Sequence, residues 1–232
     1  MTSEHLKTTM QVSTGSRIAG ILAISGAVFM LIGAAVWGST GIDLWQALAQ
    51  GELPAYLAAA GNVKLQFTIN TAFWITGVLC MGSAGTLMAA LPTRRQPLAL
   101  MARLGFQTGV PLAIVAFLAM VSVVIQLSPD TSAVAVAVAE TVGWIGARAD
   151  DIATILIAAV GPLLISLAGK DHWVPRWLLR WGYAAGIGGF LAAVAIFLPG
   201  FYQLGLVLIP IAMGWMIAAG VVLLSRRTAA AI

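Results

Sequence analysis

The amino-acid sequence predicts an all-α, polytopic membrane protein: a bundle of six transmembrane helices with both termini in the cytoplasm. Three observations lead to this prediction. Of the 232 residues, 60% are hydrophobic and 9% are charged, whereas a soluble domain carries roughly 25% charged residues. Six long apolar segments follow one another along the chain. The basic residues lie almost entirely at alternate connections between these segments.

Each apolar segment is long enough to cross a hydrocarbon core of roughly 30 Å as a helix that rises about 1.5 Å per residue. None alternates polar and apolar residues as the strands of a membrane barrel do. The fourth segment has two candidate starts, because charged residues precede its apolar run. The Ala–Val stretch before it, 132–140, either lies in the membrane interface or lengthens this helix. The predicted segments are 18–37, 66–91, 104–127, 141–168 or 152–168, 178–198 and 204–224.

The positions of the lysines and arginines predict the orientation. Of the 12 basic residues, all except Lys64 and Arg148 fall on one side when six helices are drawn. The positive-inside rule makes that side cytoplasmic, and it carries both termini. The predicted domains are a cytoplasmic N-terminal tail (1–16), a six-helix transmembrane domain (17–227) and a cytoplasmic C-terminal tail (228–232).

Arg148, Asp150 and Asp151 precede the main apolar run of the fourth segment. If the helix starts near Val142, Arg148 and Asp151 lie three residues apart on one face and form a charged pair that lines a cavity. If the helix starts near Asp151, an aspartate caps the first backbone N–H groups. Arg148 then lies at the membrane interface beside Trp144. The sequence leaves both interpretations open.

A second polar cluster begins the second segment, on the same predicted outer side. Lys64 is a candidate partner for Asp150 or Asp151, and Asn70 would complete a polar pocket between the second and fourth helices. Alternatively, Lys64 extends to the lipid headgroups and Asn70 hydrogen-bonds a neighbouring helix. The candidate polar pocket consists of Lys64, Asn70, Arg148, Asp150 and Asp151.

Tryptophan and arginine recur with helical spacing in the connection before the fifth segment. Trp173, Trp177 and Trp181 are four residues apart, and Arg176 and Arg180 accompany them. A helix here would place tryptophans at the depth of the headgroups and direct arginines toward anionic phosphates. These five residues are therefore the candidate lipid-headgroup contact.

Two glycine pairs have GxxxG spacing, Gly105 with Gly109 and Gly182 with Gly186. Small residues at this spacing let helices approach closely in lipid. The pairs predict close helix packing, and contact between two copies in a homo-oligomer is a further hypothesis.

The loop after the first segment also has apolar residues at helical spacing. Leu44, Trp45 and Leu48, followed by Leu53, predict a short amphipathic helix on the membrane surface.

Several function classes lack their signature residues. The sequence has no H-E-x-x-H, C-x-x-C, G-x-S-x-G or P-loop pattern, so no metal, cofactor or enzymatic activity is predicted. The net charge of +4 does not indicate nucleic-acid binding, because the basic residues lie at the ends of apolar segments. Cys80 is the only cysteine, so the chain forms no intramolecular disulfide.

The segments "SRIAGILAISGAVFMLIGAAVW" and "LLRWGYAAGIGGFLAAVAIFLPG" resemble a family of uncharacterised bacterial six-helix integral membrane proteins with a similar length and a similar R-x-x-G start. The resemblance covers most of the chain. It implies six helices and a bacterial plasma membrane, and it carries no catalytic or binding residues.

The sequence thus predicts an integral plasma-membrane protein of accessory or structural type that binds lipid or a protein partner. Its expected partners are the lipid bilayer, with anionic lipids at the cytoplasmic face, and a second copy or another membrane protein; nucleic acid is not expected. The alternative is a small transporter or channel that uses the outer polar pocket.

Overall fold

In the computed structural model, which describes residues 3–197 and 203–230, every regular element is helical. Side chains are described for residues 14–193 and 209–225. The predicted all-α class is therefore confirmed for these residues. The helices are α1 (Ser3–Gly38), α2 (Leu44–Gln50), α3 (Leu53–Ala60), α4 (Lys64–Ala89), α5 (Gln96–Ser122), α6 (Ala133–Thr154), α7 (Gly161–Gly169), α8 (Arg176–Phe197) and α9 (Gln203–Ala230).

Within the residues whose side chains the structure describes, four helical stretches are long and apolar enough to cross a membrane, and they support a multi-pass membrane protein. They are Thr14–Gly38, Lys64–Ala89, Gln96–Leu127 and Ala133–Gly169. The fifth and sixth predicted spans fall on α8 and α9. Within α9, the stretch Ile209–Ser225 is apolar but shorter than the other four. Residues 198–202, between these two helices, lie outside the described residues. The count of six spans and the orientation of the termini therefore stay predictions.

The outside of the bundle is apolar along its long helices. Ile21 of α1 is 48% exposed, Leu104 of α5 is 52% exposed and Phe190 of α8 is 70% exposed. Water-soluble monomers rarely expose large contiguous apolar surfaces. These side chains therefore form a surface that suits lipid tails.

The long helices pack in a closed ring. α1 packs against α4 and α9, α5 packs against α4 and the α6–α7 rod, and α8 packs against α7 and α9. Buried side chains from several helices fill the ring, among them Phe106, Ile165 and Met216. Within this core the indole Nε1 of Trp215 donates a hydrogen bond of 3.1 Å to Oγ of Ser166. Both polar groups are thereby satisfied away from water.

Glycines allow α1 to touch its two neighbours. A Cβ atom built on Gly26 would lie 2.8 Å from the backbone N of Met81 and 2.9 Å from the backbone O of Gly77 in α4. On the other side, a Cβ atom on Gly20 would lie 2.9 Å from the backbone O of Gly220 in α9. Both contacts are between backbones, so no side chain can move aside to make room.

The two GxxxG pairs are used inside the chain. A Cβ atom on Gly109 would lie 2.7 Å from Cγ1 of Ile157, and one on Gly186 would lie 2.6 Å from Cδ2 of Leu163. Gly105 faces the backbone O of Leu156 at 3.8 Å, and Gly182 packs against the side chain of Ser166. The prediction of close packing is confirmed, but these faces are occupied by the chain's own helices rather than left open for a second copy.

The helix that contains the fourth predicted span begins at Ala133, well before residue 141 or residue 152. Both predicted starts are therefore too late, and the interpretation in which the Ala–Val stretch lengthens this helix is confirmed. The true start is set by Ser132, whose Oγ accepts a hydrogen bond of 3.3 Å from the backbone N of Ala135. Asp130 supports the turn by accepting from the backbone N of Ser132 at 2.8 Å. This is the usual role of serine at a helix N-cap.

Helices α6 and α7 form one continuous rod, joined by a π-helical segment, Ile155–Val160. Pro162 follows this segment. Proline has no N–H, and its ring crowds the carbonyl four residues earlier, here that of Ala158. The wider π-helical turn accommodates the proline without breaking the rod. A second π-helical segment, Val123–Leu127, extends α5.

A helical cap, formed by α2 and α3, covers the end of the bundle where α4 begins. Leu44 and Leu57 are buried there together with Val124 of the α5 extension. The predicted surface helix thus exists as two short helices, joined at Gly51 in the left-handed conformation (φ 73°). Leu48 is only 7% exposed, so the apolar face packs on protein rather than on the membrane surface.

We expect Gly26→Ala to lower the free energy of unfolding by roughly 1–3 kcal/mol, because the added methyl group must separate two backbones. Thermal unfolding in detergent, followed by circular dichroism, measures the effect. Gly15→Ala is the matched control in the same helix, since a Cβ atom there meets no atom within 4 Å. Equal midpoints for the two variants would contradict the close α1–α4 crossing.

Candidate functional site

Lys64 caps the end of α5 and does not pair with the aspartates of α6. Its Nζ donates to the backbone O of Ser128 at 2.7 Å and to that of Ile125 at 3.3 Å. These carbonyls lie at the end of the helix, where no following turn supplies backbone N–H donors for them. Among the described residues, Lys64 forms no ion pair. Neither predicted role of Lys64, pairing with an aspartate or reaching the headgroups, describes these contacts.

Asn70 joins α4 to α1, as the helix-joining interpretation predicts. The residue is fully buried, and its Nδ2 donates a hydrogen bond of 2.8 Å to the backbone O of Gly33. One turn further along, the indole Nε1 of Trp74 donates to the backbone O of Met30 at 3.2 Å. Interhelical hydrogen bonds of this kind hold helices together in lipid. Asn70 therefore belongs to a helix contact.

Arg148 and Asp151 form the charged pair predicted from their three-residue spacing. Nη1 of Arg148 lies 2.9 Å from Oδ2 of Asp151, and the guanidinium carbon lies 5.2 Å from the centre of the Trp144 ring. Both residues are in the middle of the continuous helix, so the interpretation of an aspartate as its N-cap is wrong. Their side chains are 48% and 30% exposed. The pair lies on the outside of the bundle and does not line a cavity within it.

Asp150 points away from this pair. It is half-buried, and it makes no hydrogen bond or ion pair with any part of the chain that the structure describes. Successive residues of a helix differ by roughly 100° in direction, so two adjacent aspartates have different surroundings.

The predicted pocket between the second and fourth spans is not formed. The physical reason is the order of the helices, because α5 packs against both α4 and α6. Lys64 reaches the end of α5, Asn70 reaches α1, and the Arg148–Asp151 pair lies outside. The sequence cannot show which helices become neighbours. Location at the same end of the bundle does not by itself bring the five residues of the predicted pocket into contact.

The three tryptophans near the start of α8 have three different environments. Trp173 lies before the helix, which begins at Arg176, and it is 7% exposed against Gly169. Trp181 packs over Gly214 of α9. Only Trp177 is open, with 50% of its surface exposed. The predicted helical row is therefore wrong for Trp173, and the exposed aromatic contact is a single tryptophan.

The connections α4–α5 and α7–α8 meet at one end of the bundle, which we call the basic end. Nε of Arg95 lies 3.6 Å from Oδ2 of Asp171, and Oγ1 of Thr93 donates to the backbone O of Ala168 at 2.6 Å. These contacts hold the two connections together. The exposed basic residues at or near this end are Arg94, Arg103, Lys170, Arg176 and Arg180.

No protein-family model matches the sequence, and neither the curated proteins nor the solved structures contain a match. A function for this chain is therefore inferred from its own geometry.

Asp43 and Tyr56 are titratable groups of the helical cap, and the sequence reasoning did not single them out. Oδ1 of Asp43 caps α2 by accepting from the backbone N of Trp45 at 2.8 Å and of Gln46 at 3.4 Å. Burial raises the pKa of Asp43, and these two hydrogen bonds partly oppose that effect. Burial also raises the pKa of Tyr56, and the negative charge of Asp43 adds to it. An aspartate directly before an apolar helical run was the signal for this cap.

We expect Lys64→Met to lower the free energy of unfolding by about 1–3 kcal/mol, because the carbonyls of Ile125 and Ser128 at the end of the helix lose a charged donor. Thermal unfolding in detergent measures the change. Lys170→Met is the control, since Lys170 is exposed at the basic end. A midpoint unchanged by Lys64→Met would show that water satisfies these carbonyls equally well.

We expect Asp43→Ala to destabilise the protein by about 0.5–2 kcal/mol through loss of the N-cap. Asp43→Asn keeps an acceptor and removes the charge. Because the pKa of Asp43 is raised in the folded state, the native protein loses stability relative to Asp43→Asn as the pH rises above 3.8, the ordinary value. Unfolding midpoints from acidic to neutral pH test this sign. An unfolding midpoint of the native protein that rises relative to that of Asp43→Asn over this pH range would contradict the prediction.

Proposed function

We propose that this chain is a six-span integral membrane protein of accessory type that binds anionic lipid headgroups at its basic end. The observation that carries the proposal is the start of α8, where the half-exposed Trp177 lies between Arg176 and Arg180, both exposed. An exposed indole beside cationic groups suits the level of the headgroups.

The charges of this end favour an anionic partner. Neither Arg176 nor Arg180 forms an ion pair within the described residues, so both guanidinium groups can bind phosphate. Arginine binds phosphate through a planar set of parallel donors. Attraction to an anionic leaflet contributes about 1 kcal/mol for each basic residue near the surface. Asp171 does not cancel this charge, because its carboxylate is already beside Arg95.

The proposed topology places both termini in the cytoplasm. The contact between Gly20 and Gly220 supports it, since the early part of α1 and the late part of α9 then lie at the same end. The positive-inside rule assigns that end to the cytoplasm. The resemblance to bacterial six-helix proteins suggests the plasma membrane as the location.

The accessory function has more support than the transport alternative as it was predicted from the sequence. That alternative required five polar residues in one pocket, but Lys64 and Asn70 bond to other helices, and Arg148 pairs only with Asp151. The proposal includes no catalytic step, metal or cofactor.

The test compares lipid retention by the native protein and by the double variant Arg176→Gln with Arg180→Gln. Native mass spectrometry from detergent that contains equal phosphatidylglycerol and phosphatidylcholine measures the lipids that stay bound. We expect the double variant to lose roughly 10- to 30-fold in preference for phosphatidylglycerol, at about 1 kcal/mol for each arginine. Added salt should weaken the native preference.

Arg148→Gln is the matched control, because this arginine lies on the other predicted side and pairs with Asp151. It should keep the native preference. Equal retention of both lipids by the native protein, or an unchanged preference in the double variant, would overturn the proposal.

A further inference from the structure

Asp150 occupies the face with which α6 packs into the bundle. Spacings of three and four residues place it in one row with buried small or apolar residues. We call this row the α6 seam; its members are Ala139, Gly143, Gly146, Asp150, Ala153 and Ile157. Every member except Asp150 is buried. Asp150 itself is half-buried, so a gap at this face leaves its side chain partly accessible.

The neighbours of Asp150 along the seam are small, which leaves room for this gap. Gly146 lies one turn before it and Ala153 nearly one turn after it. A Cβ atom built on Gly146 would lie 3.5 Å from the backbone O of Ala116 in α5. Helix α6 therefore packs closely against α5 one turn before Asp150.

The elements packed against α6 offer Asp150 no counter-charge. Residues 105–127 of α5 and 181–193 of α8 contain no charged residue, and neither do α2 and α3. The titratable side chains of these elements are Tyr56, in the cap, and Tyr183, which is exposed. Asp43 and Glu52, at the starts of α2 and α3, are acidic and cannot neutralise a carboxylate.

The two basic residues on the predicted outer side are already engaged. Lys64 bonds to the carbonyls of Ser128 and Ile125. Arg148 bonds to Asp151 on the exposed face. The sequence from 181 to 225, part of which lies outside the described residues, contains no charged residue.

We propose that Asp150 binds an alkali ion at the α6 seam. An ionised carboxylate without a partner is expensive in a membrane-spanning segment, and a bound cation removes that cost. One carboxylate supplies one negative charge, which matches one monovalent ion. A calcium-type site uses several carboxylates, and the described residues contain no group of three metal-binding side chains.

Thr154 supplies a second oxygen. It lies four residues after Asp150, so both side chains share one helix face. Its hydroxyl makes no hydrogen bond to the part of the chain that the structure describes, although threonine in a helix commonly bonds the carbonyl of the preceding turn. The π-helical segment begins at the next residue, Ile155, and such segments are frequent at functional sites.

The test measures the unfolding midpoint of the purified full chain in detergent as choline chloride is replaced by sodium, potassium or lithium chloride at constant ionic strength and pH. We expect an alkali ion to raise the midpoint of the native protein by roughly 5–10 °C at about 100 times its Kd. Asp150→Asn should abolish the rise, and Thr154→Val should reduce it. Asp151→Asn is the matched control and should keep the native response, because the Asp151 carboxylate is already paired with Arg148.

A pH series in choline chloride separates ion binding from simple protonation of the carboxylate. If no alkali ion shifts the native midpoint, the proposal is wrong, even where the pH dependence is lost in Asp150→Asn, because a proton alone then neutralises Asp150. If the native protein and Asp150→Asn respond equally to every ion and to pH, the proposal is wrong.

A second measurement needs no variant. An apolar carbodiimide adds to a protonated carboxyl group and forms an O-acylisourea that rearranges to a stable N-acylurea, which mass spectrometry assigns to one residue. We expect Asp150 of the native protein to be labelled, and a bound alkali ion to slow the labelling at constant pH. No labelling of Asp150 at any pH would show that its carboxyl group is closed to exchange and would overturn the proposal.

Discussion

The whole bundle depends on the contact of α1 with two helices at once. In lipid no hydrophobic effect drives helices together, so close packing and hydrogen bonds must hold them. Gly26 lets α1 touch the backbone of α4, and Gly20 lets it touch α9. The second contact closes the ring. The hydrogen bond from Asn70 to the α1 backbone then fixes the position of α4 along the axis of α1.

Polar residues in the described part of the chain mostly serve the helix ends and helix contacts. Lys64 satisfies carbonyls at the end of α5, and Asp43 satisfies N–H groups at the start of α2. Unpaired backbone groups are costly in an apolar environment. The polar groups near the capped end therefore do not by themselves indicate a transport site. Asp150 differs because it satisfies no backbone group.

The sequence predicted the long helices well and their neighbours poorly. Apolar length is a local property, so the first four spans were found. The start of α6 was left undecided because the Ala–Val alternation after Ser132 has no helical period, although a serine N-cap preceded it. The row of tryptophans failed because α8 begins only at Arg176. The polar pocket failed because contacts between distant helices leave no mark in one sequence.

The continuous α6–α7 rod restricts how this chain can change during evolution. It runs from Ala133 to Gly169, 37 residues, or roughly 55 Å at 1.5 Å per residue. One inserted residue would turn everything beyond it by roughly 100°, so the cap contacts and the core contacts could not both survive. The wide turn before Pro162 is the place where an extra residue is already absorbed. Length changes should therefore be tolerated there and rejected elsewhere along the rod.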